Sequence, residues 1–411
     1  MNLSSLISLM SSANDKHILE FVISYIAIAL IILAIVFMVL VNKGVLLKRT
    51  NNKFKRFITN PLFIYSLRRI ASATFSIVVA LAITFCLIRM QDLRSIYCSE
   101  IPPGFSGEAR ERACEALMSS LGLNKPIVVQ FLEYLYNIIP IPKNIVTVNF
   151  TLAPDDPHYY QTEFAIVYFG QKIKNNTEPY IWNDIINKMP ISFRWGALAT
   201  IIQLVIGYPL GILMAKYQDK FVDKLGKGYV IFITAVPGLL YYYLLYSVFY
   251  KFDNFLSASG LPLSLTQWET NNVITWIVPA ITSAFAGIAG ISYWVRRYML
   301  NEINSDYVKY ARAKGLSENK IMFKHVLRNA IVPLSRGLST AFIGCLFGSY
   351  FIESLFSIPG FGNMLVDNLE KNDFLVVQAV VVVSAIISVV SYLIADITMA
   401  IMDPRISFTS D

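Results

Sequence analysis

Few side chains in this 411-residue chain are placed to do chemistry. The histidines, His17, His158 and His325, are too scattered to form a metal set. No G-x-x-x-x-G-K-[ST] run is present. Gly226-Lys227 lacks the preceding Gly, and the Pro359–Gly362 turn lacks the Lys, so nothing here cradles phosphates. H-E-x-x-H, C-x-x-C and a nucleophile elbow are likewise missing from the sequence. The chain is therefore expected to catalyse nothing and to hold no metal or cofactor of its own. Asp396 is a carboxylate in an apolar run, about two turns before its inner end. It reads either as a proton or ion site or, more simply, as a structural residue paired with a basic loop residue.

The stretch with the most to offer is 306–333, DYVKYARAKGLSENKIMFKHVLRNAIVP, a basic segment between long apolar runs. Its first half predicts a short helix with Tyr307, Tyr310 and Ala311 on one side and Lys309 and Arg312 on the other. Gly315 ends that helix, because glycine takes the left-handed conformation that closes one. Ser317 is placed to cap a second helix, and Glu318 suits the positive end of its dipole. There Phe323, Val326, Leu327 and Ala330 share an apolar face by their spacing, while Lys320, Lys324 and Arg328 form a basic stripe. Charge alone leaves two readings. One is a loop lying on anionic headgroups. The other is a helix–Gly–helix elbow whose apolar face docks into a groove of a partner.

These residues sit in a membrane protein. The chain is 55% hydrophobic and 15% charged, with a mean hydropathy of +0.53. Its formal charge of +8 is read by location, as basic cytoplasmic loops and not as a nucleic-acid surface. Seven spans emerge, at about 18–42, 65–90, 191–215, 229–250, 273–295, 333–356 and 376–402. The first is too long for a cleavable leader. Lys and Arg crowd alternate loops: Lys43 to Arg56, Lys216 to Lys227, and Arg296 through the elbow to Arg336, with Arg405 beyond the last span. That pattern puts the N-terminus outside and the C-terminus in the cytoplasm.

The segment 91–190 then lies outside, as a small domain or a long structured loop. Cys98 and Cys114 there are either a disulfide or two unrelated thiols. Gly207/Gly211 and Gly344/Gly348 are GxxxG pairs that let helices approach closely. Pro209, Pro237-Gly238 and Pro279 interrupt or kink spans. Of Tyr241, Tyr242 and Tyr243, at most one can face a common pathway, since consecutive helical residues point apart.

The motifs, taken in order, resemble the B-type permease subunit of binding-protein-dependent ABC importers of oligopeptides and dipeptides. In 306–333, Ala311, Gly315 and Leu327 keep the family's general signature-loop pattern, and ARAKGL, His325 before Leu327, and the late Pro333 are similar to its peptide-permease variant. SLRRIASATFSIVVALAITFCLIRM at 66–90 resembles the first core helix. LGLNKPIVVQFLEYL at 121–135 resembles the outer stretch, and NKMPISFRWGALATIIQLVIGYPLGILMA at 187–215 the second core helix. FIESLFSIPGFGNMLVDNL resembles the turn in which a Glu, here Glu353, precedes Pro-Gly-x-Gly, here Pro359, Gly360 and Gly362. Asp403, Pro404 and Arg405 resemble the terminal Asp-Pro-basic signature.

The resemblance implies an all-α, polytopic fold: the six-helix core of a type I importer permease plus one extra N-terminal helix. It divides the chain into 1–60 (extra helix and basic linker), 61–90 (first core helix), 91–190 (enlarged outer region) and 191–411 (the remaining core, with a coupling loop at 297–333). It implies a translocation subunit that works with a second, C-type permease subunit, two ATP-binding subunits that use ATP and Mg, and an extracytoplasmic peptide-binding protein, in a lipid bilayer. The coupling loop would act through Tyr310, Ala311, Ala313, Gly315, Leu316, Phe323, His325, Leu327 and Arg328. Dipeptides or nickel are alternative cargoes. An ion-gradient-driven transporter using Asp396, or a membrane scaffold built on 91–190, would be a different class.

Overall fold

The computed structural model describes residues 61–99, 101, 107–148, 160–172, 180–261 and 264–402. The expected span at 18–42 and the motif Asp403-Pro404-Arg405 lie outside the described residues. Among those described, helices dominate, and the one sheet is a two-stranded antiparallel hairpin. They fall into two compact units. One runs up to Ile185 and takes back Asp367–Ala385. The other is Ile186–Val366 with the chain from Ile386 onward.

In the first unit, α1 (Pro61–Arg89) is a long apolar helix. Asp92 begins α2 (Leu93–Cys98) by accepting the Ser95 N–H at 3.2 Å. Then come α3 (Glu108–Ser120) and α4 (Ile127–Ile138). Cys98 and Cys114 are bonded, tying the end of α2 to α3 over a small core of Ile88, Leu93, Tyr97, Leu117 and Met118. Strands β1 (Lys143–Val148) and β2 (Tyr160–Ala165) pair with Lys143 opposite Ala165. Buried Lys143 donates to the carbonyls of Tyr136, Asn137 and Ile139, the orphan acceptors at the end of α4. The described part of 91–190 is thus structured, with short helices and a hairpin.

The second unit holds most of α5 (Ile181–Lys216), then α6 (Phe221–Ala235), α7 (Gly238–Ala258) and α8 (Ile274–Ile303). The elbow helices α9 (Asp306–Ala313) and α10 (Glu318–Lys320) follow, and a π-helical turn at Ile321–Val326 leads into α11 (Leu327–Gly344). After a 3-10 turn at Cys345–Phe347 come α12 (Tyr350–Leu355), α13 (Phe361–Glu370) and the final α14 (Phe374–Met402); the chain from Asp367 in α13 to Ala385 in α14 belongs to the first unit.

Four of these helices are long and apolar enough to cross a membrane, and there are six spans if two bent pairs each count as one. The expected single span at 229–250 is one of the bent pairs: α6 and α7 meet at 108° across Val236-Pro237. Val236 before Pro237 is extended, at φ −91° and ψ 129°, as a residue preceding proline favours, whereas α5 and α8 run on through Pro209 and Pro279 without the expected interruption. The expected span at 333–356 also differs. Its helix starts earlier, ends at Phe347, and gives way to a turn at Gly348, whose φ is +61°. Gly344 and Gly348 therefore form no helical GxxxG surface. Gly207 and Gly211 do. A Cβ on Gly207 would meet Ile291 at 2.9 Å, and one on Gly211 would meet the Ser292 carbonyl and Val295 at 2.7 Å. The pair presses α5 onto α8. Tyr241 is buried and Tyr243 is exposed, so consecutive tyrosines do point apart.

Gly211→Val should therefore force α5 and α8 apart. We expect a loss of about 1–3 kcal/mol, the usual cost of overpacking. It would be read as a lower thermal unfolding midpoint of the solubilised chain, with Gly228→Val, where a Cβ meets nothing within 4 Å, as the neutral control.

Candidate functional site

The elbow is built as two short helices around one left-handed residue. Gly315 has φ +77°, and a side chain there would meet nothing, so only the backbone conformation requires glycine. Ser317 occupies the cap position before α10, but its side chain makes no capping hydrogen bond. The turn is braced from outside instead. Arg312 donates to Glu318 from Nε at 2.8 Å and from Nη2 at 3.3 Å, an exposed pair worth little in energy but well placed to hold the angle.

The faces of the elbow differ from those expected. In α9 the buried residues are Val308 and Ala311, while Tyr307 and Tyr310 are exposed. Beyond the turn, Ile321, Met322, Val326 and Ala330 face inward, whereas Phe323 is 55% exposed. The π-turn is the reason. Its wider winding shifts the buried set to a four-residue step, Met322, Val326, Ala330 and Leu334, where a 3.6-residue step would have carried Phe323 inward. Leu316 and Leu327 are half-buried against the same cluster, His325 is half-buried, and Ala313, Lys320, Lys324 and Arg328 are exposed.

The inward set packs on the spans. Val295 and Met299 of α8 and Ala215 of α5 join Val308, Ala311, Ile321, Met322 and Val326 in one buried cluster. Next to it, a polar lock fixes α6 to α8. Asp223 is fully buried and accepts from Arg296 Nε at 2.6 Å and Nη2 at 2.9 Å, from the Asp219 N–H at 2.9 Å, and from Lys227 at 3.0 Å. From the sequence alone, Arg296 and Lys227 read only as topology charges. Asp219, Asp223 and Lys227 at four-residue spacing were the available signal of a network.

A second constellation surrounds Glu353, which is fully buried in α12. Its Oε1 accepts from Ser192 Oγ at 2.6 Å and its Oε2 from the Asn363 N–H at 2.8 Å. Ser192 Oγ in turn accepts the Phe361 N–H at 2.7 Å. Gly348 and Gly360 lie so close that a Cβ on either would strike the carboxyl group. The Pro-Gly-x-Gly turn, with Pro359 at its exposed tip and Gly362 against the Ser349 backbone, is thus wrapped around one acid. Glu353 lies past the span that ends at Phe347, and burial pushes its pKa up to about 7 against the pull of its hydrogen bonds. Asp396, in α14, is buried. Among the described residues no three His, Cys, Asp or Glu side chains group as metal ligands.

The profile of the family described as binding-protein-dependent transport system inner membrane component matches residues 207–408, which include the elbow and the Glu353 turn. The oligopeptide transport system permease protein AppB of Bacillus subtilis is 31% identical over 72% of this chain and 85% of its own length. The chain belongs to the oligopeptide and dipeptide permease family of ABC importers. The dipeptide transport system permease protein DppB of Lactococcus lactis is 33% identical over 58% of this chain and 75% of its own length. The oligopeptide transport system permease protein AmiC of Streptococcus pneumoniae is 34% identical over 56% of this chain, which spans 46% of that relative's length. This permease is accordingly a multi-pass membrane protein, and its relatives are membrane components of transport systems.

The Glu353 carboxyl binds its proton more tightly in the folded chain than the ordinary value of 4.5. Its contribution to stability is therefore complete below about 4.5 and is lost as pH rises through about 7. The unfolding midpoint should fall between about pH 5 and pH 8, and Glu353→Gln should flatten that fall. An equally steep fall in the variant would contradict the assignment.

Proposed function

We propose that the chain is a translocation subunit of an ATP-driven oligopeptide importer, and that its elbow is the part that receives force from ATP-binding partner subunits. The observation that carries this reading is the elbow's two-sidedness. One face is buried in the spans, and the other presents Tyr310, Ala313 and Phe323 among Lys320, Lys324 and Arg328, with no covering element among the described residues. Large exposed apolar side chains ringed by charge suit a protein groove better than a headgroup surface. A cytoplasmic elbow is also what the alternation of basic loops requires, with the N-terminus outside and the C-terminus inside.

In this mechanism, ATP closes the two partner ATPases, the elbow follows its socket, and the apolar cluster carries the displacement into α8 and α5. A second permease subunit completes the pathway, and an extracytoplasmic binding protein delivers the peptide. The 108° bend at Pro237 is a place where a span changes direction. Peptides are proposed as cargo because the relatives matched along most of their length are named for oligopeptides and dipeptides.

Gly315→Pro should abolish uptake while leaving the protein inserted, since proline is held near −65° and this residue needs +77°. Gly315→Asn, which tolerates the left-handed region, should retain most uptake. Uptake that survives the proline would refute the role of the turn. Reversing the charge of Lys320, Lys324 and Arg328 together should weaken co-purification of the ATP-binding subunits at least tenfold. Unchanged co-purification would favour a headgroup contact instead.

A further inference from the structure

The first unit contains a polar site that importer function, as argued above, does not use. Arg89 is the last residue of α1, and its guanidinium sits 4.9 Å over the centroid of Phe85. Phe85 is fully buried and packs on Phe131 and Tyr134 of α4, with ring centroids 5.3 and 5.7 Å away. Stacking fixes the guanidinium plane. A guanidinium donates only from its edge and accepts nothing, so its hydrogen-bonding directions are fixed too. Yet Nε and Nη1 are closed off from solvent with no acceptor. Around them, the Tyr134 hydroxyl and the Gln378 side chain lie close enough to pair with each other, and Gln130 Oε1 is a buried acceptor without a partner.

Of the acids nearby, Asp373 is buried and acts on Tyr97, and the others are committed elsewhere. Glu133 pairs with Lys125, Glu111 pairs with Arg94, and Asp92 caps α2. No carboxylate among the described residues pairs with Arg89. A guanidinium with two buried N–H groups that lack acceptors is a costly arrangement unless something anionic completes it. Space exists for it. Arg89, Gln130, Tyr134 and Gln378 line a cavity of about 160 Å³, with Tyr168 and Leu375 on its wall. At about 30 Å³ for a water, that admits a carboxylate and a short stem. Arg89 and Gln130 also line an adjoining hollow of about 390 Å³, through which such a stem can extend.

We propose that this cavity is a binding site for a single carboxylate group, with Arg89 supplying the charge and Tyr134 and Gln378 supplying neutral donors. The carboxylate can come from a free small organic acid or from the C-terminus of a peptide, and the chemistry of recognition is the same.

The test uses the purified full-length chain in detergent, with its unfolding midpoint and intrinsic fluorescence titrated against acetate, trialanine and trialanine amide. Acetate and trialanine should raise the midpoint, and the amide should not. A tighter response to trialanine than to acetate identifies the peptide terminus as the source, and an equal response identifies the free acid. Arg89→Gln should weaken carboxylate binding about ten- to a hundredfold, the value of a charge-assisted bond. It should also raise the midpoint of the unliganded chain, because an unpaired buried charge is removed. Tyr134→Phe and Gln378→Leu keep the shape of the site and should each weaken binding several-fold, so the idea stays testable if the Arg89 variant misfolds. No response to either carboxylate, an equal response to the amide, or unchanged affinity in all three variants would overturn it.

Discussion

The proposed lever depends on one apolar seam, where Val295 and Met299 of α8 meet Val308, Ala311, Ile321, Met322 and Val326 of the elbow. Each large side chain buried there contributes about 1.5–3 kcal/mol relative to exposure, and several act together. Lifting the elbow from its span would expose them all. The elbow and the C-terminal end of α8 are therefore held as one body. A lever needs that property. Without the seam, the helices around Gly315 would be a flexible loop, and no force applied to their outer face would reach the membrane.

Polar contacts then fix where that body sits. In a lipid environment apolar packing carries little directional information, because lipid tails are as apolar as leucine. Buried hydrogen bonds carry it instead. Asp223 with Arg296 sets α6 against α8 beside the seam, and Glu353 with Ser192 sets the Pro-Gly-x-Gly turn against α5. Removing one partner from either lock would strand a buried polar group, so both have few acceptable substitutes. Close backbone contact at Gly207 and Gly211 completes the frame by bringing α5 against α8.

The sequence made legible whatever rests on local rules. The apolar helices α1, α5, α8 and α14, the helix break at Pro237, the left-handed Gly315 and the close approach at Gly207 and Gly211 all follow from properties of single residues or short spacings. Features that rest on winding or on distant partners were hidden. The apolar face drawn through Phe323 assumed 3.6 residues per turn, and the π-turn at Ile321–Val326 breaks that assumption. Glu353 could be matched to a motif, but its bond to Ser192 spans 161 positions and leaves no trace in local pattern. Arg89 was absorbed into an apolar helix end, because nothing in sequence signals that a charge lacks a partner.

The central claim is that the outer face of the elbow lies in the cytoplasm and is covered by an ATP-binding partner. It is tested most directly by placing one cysteine there. Phe323→Cys, with Cys86 and Cys345 replaced, would be labelled with a membrane-impermeant maleimide in inside-out and right-side-out vesicles, with and without the ATP-binding subunits. The expected result is labelling only in inside-out vesicles, and strong protection once the subunits are bound. Labelling from the opposite side, or equal labelling with and without the subunits, would contradict it.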